Sequence, residues 1–223
     1  MQYRIISIGT LSHHEFWQHT SQVRHAHATT ILIESEGKKI LVDPGLPPRV
    51  LLAHLEQHAG LSAEDIDMVF LTTFRPAHRM GLGAFPSAQW FISELERDAV
   101  GEHLIHLLQD APDEESEGYI KEDLRVLKRC KPAPDSLAKH VDLFPLPGYS
   151  PGTCGLLLLS ATATTLIASD AIATREHLQN KRVLKKGCLD REGALASLAE
   201  ALEIADYIIP GHDNLLLCPK HGM

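Results

Sequence analysis

Five β-like runs in this chain end in turns that carry a polar side chain, and four of these turns contain glycine or proline. The polar positions are Asp43, the segment 72–81, Tyr149, Asp170 and His212. Short runs of apolar and β-branched residues bounded by such turns are typical of strands. In a layered α/β protein the strand ends gather along one edge, where loops place functional side chains. This recurrence constrains the fold most, because it predicts that five distant segments converge on one site.

The segment 69–82 is the most informative of the five. It reads Val-Phe-Leu-Thr-Thr-Phe-Arg-Pro-Ala-His-Arg-Met-Gly-Leu. An apolar run from Met68 to Leu71 predicts a short buried strand, which stops abruptly in a loop with one proline, one histidine and two arginines. The abrupt change predicts a functional loop at this strand end.

Strands and hairpins alternate with helices along the rest of the chain. Helical spacing and end signals predict helices from Pro47 or Pro48 to Gly60, over about 94–108 and over 191–205. No internal repeat or linker divides the chain. We therefore expect a single α/β domain over 1–223, with two packed sheets and outer helices.

The segment 109–123 stands apart by its composition. It contains seven acidic residues, one proline and one glycine, so we expect it to be the least ordered part of the chain. A short helix is predicted just after it, over 124–129.

Charge and cysteine usage exclude several classes of protein. The formal charge is −8, and binding to a phosphate backbone requires clustered lysine and arginine, so we expect no nucleic-acid partner. No apolar run reaches the length of a membrane span, so we expect no membrane association. The four cysteines are scattered without a C-x-x-C pair, which favours a reducing cytoplasm over a disulfide frame or a zinc ribbon.

The order of the motifs resembles the metallo-β-lactamase fold, a four-layer αββα sandwich. The resemblance covers nearly the whole chain. It rests on Asp43-Pro44-Gly45, Leu-Thr-x-x-x-x-x-His ending at His78, Pro-Gly-x-Ser-Pro-Gly around Tyr149, Ala-Ser-Asp-Ala around Asp170, and Ile-Ile-Pro-Gly-His ending at His212. Each motif is weak alone, and the five in this order indicate the fold.

The resemblance implies a metal centre from which one site has been lost. The family loop has the pattern His-x-His-x-Asp-His, and the matching positions here are Thr73, Arg75, Ala77 and His78. Tyr149 stands where the family has a histidine. The first metal site of the family has therefore lost all three of its histidines, at Thr73, Arg75 and Tyr149.

The second metal site keeps most of its ligands. By the same resemblance it retains His78, Asp170 and His212, and it lacks the loop aspartate at Ala77. Two histidines and one carboxylate suit one divalent ion: zinc first, with iron or manganese as alternatives. The resemblance implies a mononuclear hydrolase that acts on a small ester, lactone, thioester or phosphoester through metal-bound water.

Three further residues are candidate catalytic groups. Arg75 has a forked guanidinium that suits a carboxylate or phosphate, and it could enter the vacated first site. Arg75 and Tyr149 are expected to hold a substrate anion or oxyanion, and Asp43 to support the metal loop by hydrogen bonds. We expect substrate selection from the loops 10–27, 109–135 and 171–190.

The alternative is a non-catalytic, metal-free protein on the same fold that binds a small anion. In that case His78 and His212 would bond to Asp170, and Asp170 would pair with Arg75. The partner in both hypotheses is a small molecule. The oligomeric state stays open, with a homodimer as one expectation.

Histidines are unusually frequent in the first part of the chain. Five of the 14 fall between residues 13 and 27. A solvated loop is the simpler interpretation, and metal binding is the other. His25 and His27 are two apart in an extended segment, so their side chains share one face and are candidate replacement ligands.

Overall fold

A computed structural model describes residues 1–17 and 25–219 of the chain. Part of the predicted loop over 10–27 therefore lies outside the described residues. The strands are β1 Gln2–Ser7, β2 Thr30–Ser35, β3 Lys38–Val42, β4 Met68–Leu71, β5 Gln89–Ile92, β6 Lys131–Pro132, β7 Ser136–Ala138, β8 Val141–Pro145, β9 Cys154–Leu159, β10 Thr164–Ser169, β11 Tyr207–Pro210 and β12 Leu216–Leu217. The helices are α1 Pro48–Ala59, α2 Pro76–Arg79, α3 Glu94–Gln109, α4 Glu114–Arg129, α5 Arg175–Gln179 and α6 Arg191–Ile204.

The strands form two mixed sheets of six. The first has the order β1-β2-β3-β4-β5-β6, and the second has the order β12-β11-β10-β9-β8-β7. In the first sheet β3, β4, β5 and β6 run parallel, and in the second β10 and β11 run parallel. Parallel neighbours end on the same edge, which is why the polar residues after β3, β4, β10 and β11 meet.

Three apolar clusters hold the layers together. One fills the space between the sheets and includes Ile31, Val42 and Phe70 from the first sheet with Leu156 and Ile167 from the second. A second joins the outer face of the first sheet to α1, α3 and α4, and a third joins the second sheet to α5 and α6. This arrangement confirms the predicted αββα sandwich.

The prediction that 109–123 is poorly ordered is wrong. Residues 114–129 form the 16-residue helix α4. Asp113 caps its N-terminus by accepting a hydrogen bond from the backbone N–H of Ser116, and acids in the first turn favour the helix dipole. Leu127 is buried, and Ile120 and Leu124 pack against the core. The acidic composition belongs to the exposed face of an amphipathic helix, whose apolar stripe the sequence analysis overlooked.

No helix among residues 1–17 and 25–219 is long and apolar enough to cross a membrane.

Candidate metal centre

Asp43 begins the site at the end of β3. It adopts a left-handed conformation with φ of 48°, and its side chain is buried. One carboxylate oxygen, Oδ1, accepts a hydrogen bond from the backbone N–H of Thr72 at 2.9 Å. The other, Oδ2, accepts the Thr72 hydroxyl at 2.6 Å. These bonds fix the carboxylate across the parallel strands β3 and β4.

His78 lies on α2, completely buried between two carboxylates. Its Nδ1 is 3.0 Å from Asp43 Oδ2, and its Nε2 is 3.3 Å from Asp170 Oδ2. Asp43 therefore orients the ring so that Nε2 faces Asp170.

His212 follows β11 and uses its two ring nitrogens in the same way as His78. Its Nδ1 donates a hydrogen bond to the backbone carbonyl of His27 at 2.9 Å, and its Nε2 is 3.0 Å from Asp170 Oδ1. The ring centroids of His78 and His212 are 5.5 Å apart, and the two ring planes are nearly perpendicular. Both histidines thus use Nδ1 for a protein acceptor and turn Nε2 inwards, as metal-binding histidines do.

Asp170 is placed by an unusual backbone at the end of β10. Ser169, just before it, has a φ of 53°. Gly211 packs against this turn, because an added Cβ would lie 2.8 Å from the Ser169 backbone and 3.1 Å from Asp170 Oδ1. Glycine at 211 therefore permits the close approach of Asp170 and His212.

The charges in the cluster are strongly coupled. Burial alone would lower the pKa of His78, but the carboxylates of Asp43 and Asp170 outweigh burial and raise this pKa to about 10. Burial opposes ionisation of Asp170, but His78 and His212 hold the pKa of Asp170 well below its usual range. Without a metal ion, His78 is therefore an imidazolium paired with two carboxylates.

The three residues also fit a divalent metal ion. Their ligand atoms all lie within 4.8 Å of one another, and no other group of three such residues does so within 1–17 and 25–219. Oδ1 of Asp170 is buried and lacks a hydrogen bond of acceptable geometry to any described residue, despite its short distance to His212. A buried carboxylate oxygen in that condition is costly, and a cation would satisfy it.

Arg75 lies between Asp170 and Tyr149 at the edge of the centre. Its Nε is 4.0 Å from Asp170 Oδ2, and its guanidinium lies 4.5 Å from the centre of the Tyr149 ring. The Arg75 side chain is 41% exposed, so part of the guanidinium faces the solvent. Burial raises the pKa of Tyr149, whose hydroxyl donates to the backbone carbonyl of Lys186 at 3.0 Å. The proton of the Tyr149 hydroxyl is thus already used in a hydrogen bond within the protein, and not for a substrate anion as the sequence predicted.

Thr73, which the resemblance aligns with the first histidine of the family loop, bonds to Glu96 and not to the three candidate ligands. Its hydroxyl donates to Oε1 of Glu96 at 2.7 Å, and Ser150 donates to Oε2 of the same residue at 2.5 Å. Glu96 is buried in the first turn of α3 and ties the metal loop to the turn after β8. Glu96 was not predicted as a site residue, although the sequence places it three residues after Ser93, the N-cap of α3.

A cavity of about 460 Å³ opens over the centre. Its walls come from the first loop of the chain, from the metal loop and from the segment after α5. The lining residues are Leu11, Ser12, His13, Glu15, Ala26, Arg75, Ala77, Tyr149, Asp170, Leu184, Lys185, Lys186 and His212. Two of the three candidate ligands, Asp170 and His212, thus line the same cavity as Arg75 and Tyr149. Glu15, Lys185 and Lys186 also line it and were not predicted from the sequence.

His25 and His27 do not join the group of ligand atoms. His25 is exposed. His27 is half-buried and contributes its backbone carbonyl to His212, while its ring Nδ1 lies 3.5 Å from the carbonyl of Ala28. His27 therefore contacts the centre through its backbone.

A second histidine network links the first loop of the chain to α5. The Thr174 hydroxyl bridges Nε2 of His14 at 2.7 Å and Nδ1 of His177 at 2.9 Å. His177 is buried, and burial lowers its pKa to about 4. The two rings join the first loop to α5, and the neighbours of His14 in that loop, His13 and Glu15, line the cavity.

Comparisons with known proteins agree with this architecture. Residues 25–212 match the Metallo-beta-lactamase superfamily. Among solved structures, a putative metallo-beta-lactamase from Thermotoga maritima aligns with a TM-score of 0.70 at 16% identity, over 97% of this chain and 98% of that one. AidC, a dizinc quorum-quenching lactonase, aligns with a TM-score of 0.66 at 22% identity, over 88% of this chain and 80% of that one. The hydrolase AbOPH aligns with a TM-score of 0.64 at 15% identity, over 91% and 83%. No curated protein matches the chain.

Proposed function

The chain belongs to the metallo-beta-lactamase superfamily, and from that premise we propose that it is a divergent hydrolase with a single metal site. The proposed ligands are His78, Asp170 and His212, and zinc is the first candidate ion, with iron or manganese as alternatives. The substrate is a small ester, lactone, thioester or phosphoester. AidC is described as a lactonase, which supports the choice of substrate class.

The orientation of the two histidines carries this proposal. Each ring is fixed through Nδ1, by Asp43 at 3.0 Å or by the His27 carbonyl at 2.9 Å, and each turns Nε2 towards the same buried carboxylate. A cluster kept for packing alone would not require both rings to be held in this way. Oδ1 of Asp170 adds a third candidate ligand atom, since it is buried, lacks a hydrogen bond of acceptable geometry to the described residues and lies 3.0 Å from His212 Nε2.

A divalent ion at this position would act as a Lewis acid that lowers the pKa of a water molecule and polarises an acyl or phosphoryl oxygen. The chain's own residues would do the rest. Asp43 holds His78 in place, and the Arg75 guanidinium stabilises negative charge on the substrate oxygen. The Tyr149 ring supports that guanidinium at 4.5 Å. Ala77 offers no acid or base at the position where the family has its loop aspartate.

A second candidate function is a metal-free protein that binds a small anion. The observation that favours it is the pairing of His78 with Asp43 and Asp170 at 3.0 and 3.3 Å, because a protonated His78 together with Arg75 at 4.0 Å from Asp170 balances the two carboxylates without an ion. In this case Arg75 would be the main anion-binding group.

Metal analysis of the purified protein separates the two candidates. We expect close to one equivalent of metal per chain after growth with added zinc, iron and manganese, together with hydrolysis of a p-nitrophenyl ester. His212→Ala should abolish both, because it removes one of three ligands. His103→Ala is the matched control, since His103 is exposed on α3. A protein without metal under all three conditions would refute the hydrolase and leave the anion-binding protein.

A further inference from the structure

The segment 181–186, which we call the basic segment, reads Lys-Arg-Val-Leu-Lys-Lys and lies beside the cavity. We propose that the basic segment, through Lys186, recognises a second anionic group, a carboxylate or a phosphate, on the molecule that occupies the cavity, while Arg75 faces the reacting oxygen. This inference rests on the proposed function and narrows its substrate to esters or lactones that carry such a group.

The position of the basic segment is well defined. Val183 is buried in the apolar cluster of the second sheet and anchors the segment. The Lys186 carbonyl accepts the Tyr149 hydroxyl at 3.0 Å, and the Leu189 N–H donates to the Tyr149 carbonyl at 3.1 Å. Tyr149 stands where the lost first site had a ligand, so the residue that replaced this ligand now fastens the basic segment over the centre.

Gly187 brings the segment into contact with Arg75. It has a φ of 83°, and an added Cβ would lie 2.9 Å from Arg75 Nη1 and 3.3 Å from the Tyr149 hydroxyl. The backbone thus passes directly against the guanidinium. Lys186, the residue before Gly187, and Arg75 therefore both line the cavity close to this contact.

The charge balance at the cavity favours an anion. Lys185 is paired with Glu15 at 2.8 Å, and Asp170 is shared by His78 and His212. Lys186 is exposed and has no ion pair with the described residues. The lining of the cavity has a formal charge of +1 when its imidazoles are counted as neutral. Three cationic residues, Arg75, Lys185 and Lys186, stand against two anionic ones, Glu15 and Asp170. The whole chain, by contrast, carries −8.

The rest of the lining indicates what accompanies the anion. Leu11, Ala26, Ala77 and Leu184 provide an apolar surface. A ligand with a short apolar chain that ends in a carboxylate or phosphate would match both parts. A locally positive cavity in an acidic protein also concentrates anionic ligands and gives their binding a strong dependence on ionic strength.

The test compares two esters of matched length, p-nitrophenyl valerate and mono-p-nitrophenyl glutarate, which differ in one terminal carboxylate. The wild-type protein should have a lower KM for the glutarate ester. Lys186→Gln should raise that KM about fivefold, the upper range for an exposed ion pair, and leave the KM for valerate unchanged. Lys181→Gln is the matched control, because Lys181 belongs to the same segment and does not line the cavity. Equal KM values for the two esters, or an equal change of both in Lys186→Gln, would overturn the proposal.

Calorimetric titration with glutarate and with inorganic phosphate provides a readout without catalysis. Binding to the wild type that weakens in Lys186→Gln and not in Lys181→Gln supports the anion site, and the tighter of the two probes identifies carboxylate or phosphate as the preferred group. If neither ester is hydrolysed but this binding is found, the hydrolase fails and the anion site stands. If neither probe binds and no ester is hydrolysed, both fail.

Discussion

Replacing Asp43 by asparagine should weaken metal binding without removing a ligand. Asp43 accepts hydrogen bonds from the Thr72 backbone and hydroxyl and faces Nδ1 of His78 at 3.0 Å. In Asp43→Asn the amide oxygen can still accept the Thr72 N–H, but the amide nitrogen would face His78 Nδ1 as a donor. His78 must then carry its proton on Nε2, the atom that faces Asp170 and would bind the metal ion.

The expected loss follows from that change of tautomer. Hydrogen-bond partners of metal-binding histidines typically contribute about 10- to 100-fold in affinity, or about 1.4–2.8 kcal/mol. Asp43 is buried, so water cannot replace the lost bond. In metal-free protein the same substitution removes one of two carboxylates beside His78, so we expect a loss of about 1.5–3 kcal/mol in the free energy of unfolding.

Competition with a chromophoric zinc chelator measures the affinity, and urea unfolding of metal-free protein measures the stability. Asp67→Asn is the matched control, because Asp67 is exposed and also accepts a backbone N–H, from Lys39 at 2.8 Å. A zinc affinity of Asp43→Asn within a factor of about two of the wild type would refute the assigned role of Asp43.

Four other perturbations test the centre and its surroundings. Metal-free protein should lose stability as the pH rises from about 6.5 towards about 10, because the protonated form of His78 that its two carboxylates stabilise is lost in that window; urea unfolding across it measures the effect, and a flat profile would contradict the pairing. Ala77→Asp should tighten zinc binding at least about tenfold if the added carboxylate reaches the ion, as the same chelator competition would show; weaker binding would argue against the family alignment of this loop. His177→Phe should remove part of the acid destabilisation between about 6.5 and about 4, because burial lowers the pKa of His177 and acid must charge a buried ring; thermal unfolding of both proteins against pH tests this. Gly211→Ala should weaken zinc binding, since the added methyl would lie 3.1 Å from Asp170 Oδ1; unchanged metal content and melting temperature would show that the turn relaxes freely.

Local patterns predicted the strands and turns, and the resemblance of their order to a known family implied the fold class and the three candidate ligands. The turns after β3, β4, β8, β10 and β11 each have a short signature, which includes glycine or proline in all but the turn after β10, and the structure places all five along one edge. Such signatures are readable because backbone geometry at a tight turn restricts the residue types within a few positions. The same reasoning failed at α4, where a count of acids hid a helical stripe of apolar residues.

Contacts between distant parts of the chain were not readable in this way. Glu96 bonds to Thr73 from another element, and His14 reaches Thr174 across 160 residues. Nothing local to any of these residues indicates its partner, since the partner is set by how loops pack after the sheets have formed.

The sequence by itself therefore determined the αββα architecture and, through the family resemblance, predicted His78, Asp170 and His212 as candidate ligands. Only the tertiary structure decided which nitrogen of each histidine faces Asp170, and that Tyr149 fastens the basic segment over Arg75. The physical reason is the distance along the chain over which each kind of interaction acts. Strand and turn propensities act over a few residues, whereas the direction of a buried polar side chain depends on the single partner that folding brings within hydrogen-bond distance.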